Sequence, residues 1–475
     1  MGGTCSKTQV AYDKKVIIVG CSFAGLTLAE QLWDYFDVTL IDKNDYFEYI
    51  CTTTRSLVKD EHLDSITVSY VTMMRAHSKR AEFQQGTLME IYPERNQILL
   101  QNVQTGEFDY RNYDFLVICT GSSYQQPTKF LEVQSLEERK SRLALEQEAI
   151  KRANSILVVG AGPVGVEIIG ELVHANNQIQ PDLNGIIQKK RLGIVGHGEK
   201  VLPNFVPKAQ EYAQQFMTKN GVEIYMNTHF DENFNQTHKF EHVIYCQGSS
   251  YNTQFMQNSP MRQLSECVNS KGRIFVNDYL QVTNINPLQR PESNLSLIAL
   301  SQKKTTMQHT EDLDKSQEVQ ELLRQVVFEN IFCIGDVAQT SLNEEKTVYP
   351  LKQCANICAQ NIITLTDCND SKKQLKALPP RFDGVYQISL GPEDGFMIIN
   401  NFVITGKRQS ITKESYQNLY MQKYRGDEKA KKQIDIEMKK LEYLLWVCNS
   451  SCFQCCPCAN TREGRRPNDE KQKMN

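Results

Sequence analysis

No run in this 475-residue chain approaches the roughly 18 consecutive apolar residues that a membrane-spanning helix needs. The N-terminus has neither the apolar core of a secretory signal nor the Arg-rich character of a transit peptide. The chain is therefore expected in the cytosol, unless something other than a spanning helix ties it to a membrane. Charge of one sign is not in excess either: the formal net charge is −3, which gives no reason to expect a nucleic-acid partner. Ten of the 15 cysteines are scattered singly, as at Cys21, Cys119, Cys246 and Cys333. Such cysteines behave as small hydrophobes and suit a reducing compartment. The other five crowd into Cys448, Cys452, Cys455, Cys456 and Cys458.

What is present is an ordinary globular balance, 40% hydrophobic and 23% charged residues, in a chain too long for one core. Val16-Ile17-Ile18-Val19 reads as a strand buried on both faces of a parallel sheet, followed by a turn at Gly20, a helix from Gly25 to about Trp33, and a strand Val38–Ile41. The same order recurs 140 residues later. Ile156–Val159 leads into Gly160-Ala161-Gly162-Pro163-Val164-Gly165, then a helix, then Leu192–Val195. Three further apolar strands end in small polar turns: Phe115–Cys119 at Thr120-Gly121, His242–Cys246 at Gln247-Gly248, and Ile331–Ile334 at Gly335-Asp336. Residues 283–327 read as a polar surface insertion with a short helix near its end, and 386–405 as a hairpin before a charged helical tail.

A strand, a GxGxxG turn and a helix make a dinucleotide site for definite reasons. The first glycine makes the turn, the second lets a pyrophosphate approach backbone N–H groups, and the third lets the helix pack close and aim its positive end at the phosphates. The second copy is complete. In the first, Gly20-Cys21-Ser22-Phe23-Ala24-Gly25, Ser22 replaces the middle glycine, and its hydroxyl is itself a phosphate donor. Asp42, followed by Lys43, stands 22 residues after Gly20, where an acid accepts the hydroxyls of an adenosine ribose. The competing reading is a Rossmann-like unit that binds nothing. The second unit lacks that acid, running instead into Gly196-His197-Gly198, so NADPH is expected to serve at least as well as NADH, with Lys200 and Arg191 as candidate phosphate partners. Gly335-Asp336 offers a carboxylate at a buried strand end that can hold a sugar-like hydroxyl chain, while the N-terminus of a following helix faces the cofactor; a plain turn acid is the alternative.

Across residues 14–407, apart from the insertion, these segments together with Arg55-Ser56 and Ala355-Asn356-Ile357 with Asn361-Ile362 resemble the two-dinucleotide-binding-domain flavoprotein reductases. Within them the chain is most similar to the ferroptosis suppressor protein 1 branch of the apoptosis-inducing-factor-like proteins, close to type II NADH dehydrogenases. The resemblance implies an α/β fold of two Rossmann-like domains in a glutathione-reductase-like arrangement, with an FAD domain over 14–135 and 266–385 and an NAD(P)H domain over 136–265. An N-terminal arm over 1–13 and a C-terminal hairpin and helical tail over 386–475 complete the chain, and the tail has no counterpart in the family's usual ending. The resemblance further implies FAD and NAD(P)H as cofactors, Arg55 beside the flavin, and Glu167 beside the isoalloxazine and nicotinamide, stacked on one another. An ordinary first-turn helix acid is the rival reading of Glu167. Neither unit carries the close cysteine pair of thiol-disulfide reductases; Cys51 stands alone after the first. The expected acceptor is therefore a small molecule such as a quinone. An assembly-regulated flavoprotein with slow turnover, possessing the same motifs, and a respiratory NADH dehydrogenase stay open as alternatives, as does a homodimer.

The chain begins Met1-Gly2-Gly3-Thr4-Cys5-Ser6, a pattern for myristoylation at Gly2 with Cys5 open to palmitoylation. Ile434, Met438, Leu441 and Leu445 recur at helical spacing among Lys431, Lys432, Lys439 and Lys440, which suits an anionic membrane surface. Packing of the helix against the flavin domain is the alternative for that stripe. Palmitoylation and zinc are the two readings of the terminal cysteines.

Overall fold

A computed structural model describes residues 12–77, 80–124, 127–128, 133–181, 183–185, 187–289, 325–344, 346–367 and 374–449. The chain divides into two compact units: Met1–Phe47, His77–Ser123 and Ser249–Phe382 form one, and Glu48–Ala76, Tyr124–Gly248 and Asp383–Asn475 the other.

In the first unit, the apolar run at 15–19 becomes the strand Lys15–Val19 near the middle of an eight-stranded sheet. Val16 and Ile18 are fully buried, as a strand covered on both faces demands. It pairs in parallel with Asp37–Asp42 on one side and Phe115–Ile118 on the other. Val327–Cys333 and Ala81–Tyr92 extend the parallel core outward, and Gln281–Thr283 closes one edge antiparallel. At the other edge Gln97–Asn102 and Phe108–Asn112 run antiparallel from Ala81–Tyr92. This hairpin is absent from the pattern read above, because Gln, Glu and Asn interrupt its apolar positions. The helices Phe23–Leu32 and Val348–Thr366 pack together within this unit. Asn361, fully buried, fastens the second of them: its amide donates to the carbonyls of Tyr279 and Lys376, and its oxygen accepts from the Lys376 N–H. The part of the insertion from 290 to 324, with its expected helix, lies outside the described residues.

The second unit holds a four-stranded parallel sheet in the order Glu223–Tyr225, Arg191–Val195, Ser155–Val159, His242–Tyr245. The expected hairpin is a three-stranded meander, Val385–Ser389, Gly395–Ile399 and Phe402–Thr405. The helices Lys407–Tyr424 and Glu428–Asn449 follow and pack on each other. Backbone meets backbone where the helix Pro163–Asn177 crosses the meander: a Cβ on Gly170 would lie 2.6 Å from the Gly391 nitrogen, and one on Gly391 2.8 Å from the Gly170 oxygen.

His62 is buried in this unit, its Nε2 3.1 Å from the Thr52 carbonyl to which it donates. Burial first, then the Arg55 guanidinium, lowers its pKa to about 4. An unfolded histidine takes its proton near 6.5, so the unfolded chain is protonated first as pH falls. Stability from this group is therefore complete above about pH 6.5 and drains away down to about 4, by about 2–3 kcal/mol. Urea midpoints at pH 7 and 4.5 should show a smaller acid loss in His62→Gln; identical pH slopes would refute the assignment.

Candidate functional site

In the first unit three strand ends converge. Gly20, at φ 101°, could bear no side chain, since a Cβ there would lie 2.1 Å from the Cys119 oxygen. A Cβ on Gly25 would lie 2.0 Å from the Gly20 oxygen, so the helix Phe23–Leu32 sits directly on the turn. Ser22 precedes that helix, exposed, and its hydroxyl does not cap it. Asp42 ties strand to turn: its carboxylate accepts the Cys21 N–H at 2.7 Å and the Asn44 N–H at 3.0 Å. Lys43 follows, its carbonyl accepting from Gln85. Phe23 packs edge-on to Phe47, and Ala24 faces Gly335, where a Cβ would approach it to 3.1 Å.

Thr120 and Gly121 are held by Asn252, whose amide donates to the Thr120 carbonyl at 2.8 Å and whose N–H donates to that of Gly121 at 3.1 Å. The Ser122 hydroxyl donates to Asp336 at 2.7 Å. A helix does follow Asp336, but not at once. The short strand Ala338–Gln339 comes next, pairing with Ile274–Phe275, and the helix starts only at Val348. The apolar residues after Asp336 serve this strand rather than a helix end.

The second unit repeats the turn. Gly160, at φ 116°, abuts the Cys246 oxygen, 2.6 Å from where a Cβ would be, and a Cβ on Gly165 would lie 1.9 Å from the Gly160 oxygen. Gly162 differs: a Cβ there meets nothing within 4 Å. The protein itself does not need glycine at this position, whereas a pyrophosphate seated on the turn does. Gly162 is the N-cap and Pro163 opens the helix, where its missing N–H costs nothing, with Val164 half-buried behind it. Gly248, at φ 67°, ends the fourth-strand turn in open space. Burial first, then the Asp42 carboxylate and the Cys119 thiol, raises the Cys21 thiol, and burial pushes Cys246 up to about 12.

Glu167 is not an ordinary first-turn acid. It lies beyond the first turn of Pro163–Asn177, buried, and accepts from the ammonium of Lys413 and from the Ser389 N–H at 3.2 Å. One turn on, Glu171 accepts from Arg55 Nε at 3.1 Å, and Arg55 also donates to Glu414 at 3.3 Å. Burial raises the Glu171 carboxyl, with Arg55 pulling it back down. Lys413, Ser389, Glu171 and Glu414 escaped the sequence reading. The faint signal was the spacing Ser410, Lys413, Gln417, Met421, Tyr424 along one buried helix face, hidden because most of its members are polar.

Arg191 is removed as a phosphate partner. It begins its strand, at the end away from the glycine turn, pairs with both oxygens of Glu223 at 2.8 and 2.7 Å, and lies over the Phe240 ring. The membrane stripe is also corrected: Ile434, Met438 and Leu445 are buried as packing residues and Leu441 is partly covered. Among the described side chains of that helix, the exposed apolar ones are Ile436, Tyr443 and Leu444, beside exposed Lys439 and Lys440. Among the described residues no helix is long and apolar enough to cross a membrane, and no His, Cys, Asp and Glu group forms a metal site. Gly2, Cys5 and the cysteines from Cys452 onward lie outside the described residues, and the Cys448 side chain is likewise not described.

Two glycine turns, one on the mixed eight-stranded sheet and one on the parallel four-stranded sheet, are those of an oxidoreductase that binds FAD and NAD(P)H. The family model for pyridine nucleotide-disulphide oxidoreductases matches residues 14–287, and the chain belongs to that family. Apoptosis-inducing factor homolog A of Dictyostelium discoideum is 28% identical, over 83% of this chain and 87% of that protein. Ferroptosis suppressor protein 1 of Taeniopygia guttata is 24% identical, over 84% and 92%. The fold is shared with NDH2 from Plasmodium falciparum in complex with NADH, at TM-score 0.62 and 13% identity, covering 86% of this chain and 95% of that one.

Proposed function

We propose that the chain is an NAD(P)H:quinone oxidoreductase working at a membrane surface without a redox-active disulfide. Overall, NAD(P)H, a quinone and one proton give NAD(P)+ and the quinol. Bound FAD supplies the two-electron relay between nicotinamide and quinone. The chain's own residues do the rest. Gly20, Ser22, Gly25 and Asp42 would hold the adenosine half of FAD, with Asp336 and Ser122 on the neighbouring strand ends. Gly160, Gly162 and Gly165 would seat the NAD(P)H pyrophosphate.

The observation that carries this reading is the buried pair of Glu167 and Lys413. Quinol formation consumes protons as well as electrons, and a water-excluded carboxylate beside an ammonium can hold and pass one. The buried thiols at both turns, raised above the usual thiol range, speak against a cysteine acceptor. A long-tailed quinone is met only in a bilayer. Acyl groups at Gly2, Cys5 and the terminal cysteines, with the exposed Ile436, Tyr443, Leu444, Lys439 and Lys440, would bring the chain there.

The test uses full-length protein from eukaryotic cells and vesicles carrying a long-tailed quinone. Anaerobic NADPH should bleach a visible flavin spectrum, quinone should restore it over many turnovers, and hydroxylamine should weaken vesicle association. A colourless protein that takes up no FAD would sink the redox reading. A single slow reduction with a change in oligomeric state would instead favour a binding protein.

A further inference from the structure

We propose that His197 and His229 form a recognition site for the 2′-phosphate of NADPH. The inference rests on NAD(P)H binding by this unit and is independent of the electron acceptor.

In a βαβ nucleotide unit, the residue just past the second strand faces the adenosine ribose, and an acid there selects NADH by holding its hydroxyls. The second strand here, Arg191–Val195, ends in Gly196-His197-Gly198. The neighbouring strand, Glu223–Tyr225, runs parallel to it, and its exit loop brings up His229. The two loops are laced together: the Gly196 N–H donates to the Tyr225 carbonyl at 2.9 Å, Thr228 to Gly196 at 3.1 Å, and Asn227 to Gly198 at 2.9 Å. Asn227 takes φ 52° to do so, a conformation asparagine tolerates.

The first loop is also fixed to the phosphate turn. The Leu202 N–H donates to the Ala161 carbonyl at 2.8 Å, with Leu202 itself at φ 54°. A Cβ on Gly196 would lie 2.8 Å from that of Ala161. A side chain at 197 is thereby anchored next to the turn that seats the pyrophosphate. The two imidazoles stand 4.9 Å apart between centroids, tilted by 66°, and both are exposed.

Ring packing alone accounts poorly for this, because exposed rings gain little by touching. Two imidazoles side by side offer a phosphate dianion a pair of N–H donors. Lys200, exposed in the same loop, adds positive charge. Glu199, also exposed, is the carboxylate of this loop, and it offers the competing arrangement in which an acid holds the ribose hydroxyls.

Calorimetric binding of adenosine 2′,5′-bisphosphate and of 5′-AMP to the FAD-loaded full chain separates these arrangements. The bisphosphate should bind at least about tenfold tighter than AMP. His197→Ala and His229→Ala should each remove about five- to tenfold of that advantage while AMP affinity holds. His197→Glu should reverse the preference, and Glu199→Gln should leave AMP affinity unchanged. Equal affinities for the two compounds in the natural chain would overturn the proposal alone. So would equal loss of both compounds in the histidine variants, which would assign the rings to adenine, or loss of AMP affinity in Glu199→Gln. Binding of neither compound would overturn the proposal together with nucleotide binding by the unit.

Discussion

Turnover with a quinone is expected to fall by about two orders of magnitude in the Glu167→Gln variant, with FAD still bound. The glutamine keeps the shape and still accepts from the Ser389 N–H, but it cannot take up or release a proton. The substitution also leaves Lys413 facing a neutral amide, and breaking a buried pair costs about 3–5 kcal/mol. Lost activity could then be lost structure. The double variant Glu167→Gln with Lys413→Met separates the two. It removes both charges, so the denaturation midpoint should return most of the way to that of the natural chain. If turnover returns with it, the pair is structural and the proton role is wrong. If kcat stays low while stability recovers, the carboxylate does chemistry.

Arg139→Met should destabilise the second unit by about 3–5 kcal/mol. Arg139 is 2% exposed and donates to both Glu48 oxygens, at 3.0 and 3.1 Å, to the Thr53 hydroxyl at 3.2 Å and to the Thr128 carbonyl at 3.4 Å. Methionine fills much of the space but satisfies none of these acceptors. Glu48 and Thr53 flank the entry to the 3-10 helix Ile50–Leu57, which carries Arg55. Its loosening should therefore appear in hydrogen exchange as well as in the urea midpoint. A midpoint within about 1 kcal/mol of the natural chain's would contradict this account, and a cycle with Glu48→Gln would then locate the missing coupling.

The elements legible in the sequence were those whose signal is local. Val16–Val19 and Ile156–Val159 are apolar without interruption, and the glycines after them fail sterically with any side chain, so strand, turn and fold class could all be read. Arg191 misled because closeness in sequence to Gly196-His197-Gly198 says nothing of which end of the strand a residue occupies. Ile434, Met438 and Leu445 misled because an apolar stripe looks the same whether lipid or Lys407–Tyr424 covers it. Lys413 was invisible for a different reason. A buried lysine is explained only by its partner, and Glu167 lies 246 positions away.

The crossing of Gly170 and Gly391 has a mechanical consequence. With two main chains in direct touch, the spacing between helix and meander is set by peptide thickness, not by any compressible side chain. Ser389 sits two residues before that joint and Glu167 three before it, so both polar groups are gauged from a common stop. A methyl at either glycine would act as a shim, lifting the meander and, through the helix that continues it, drawing the ammonium off its carboxylate.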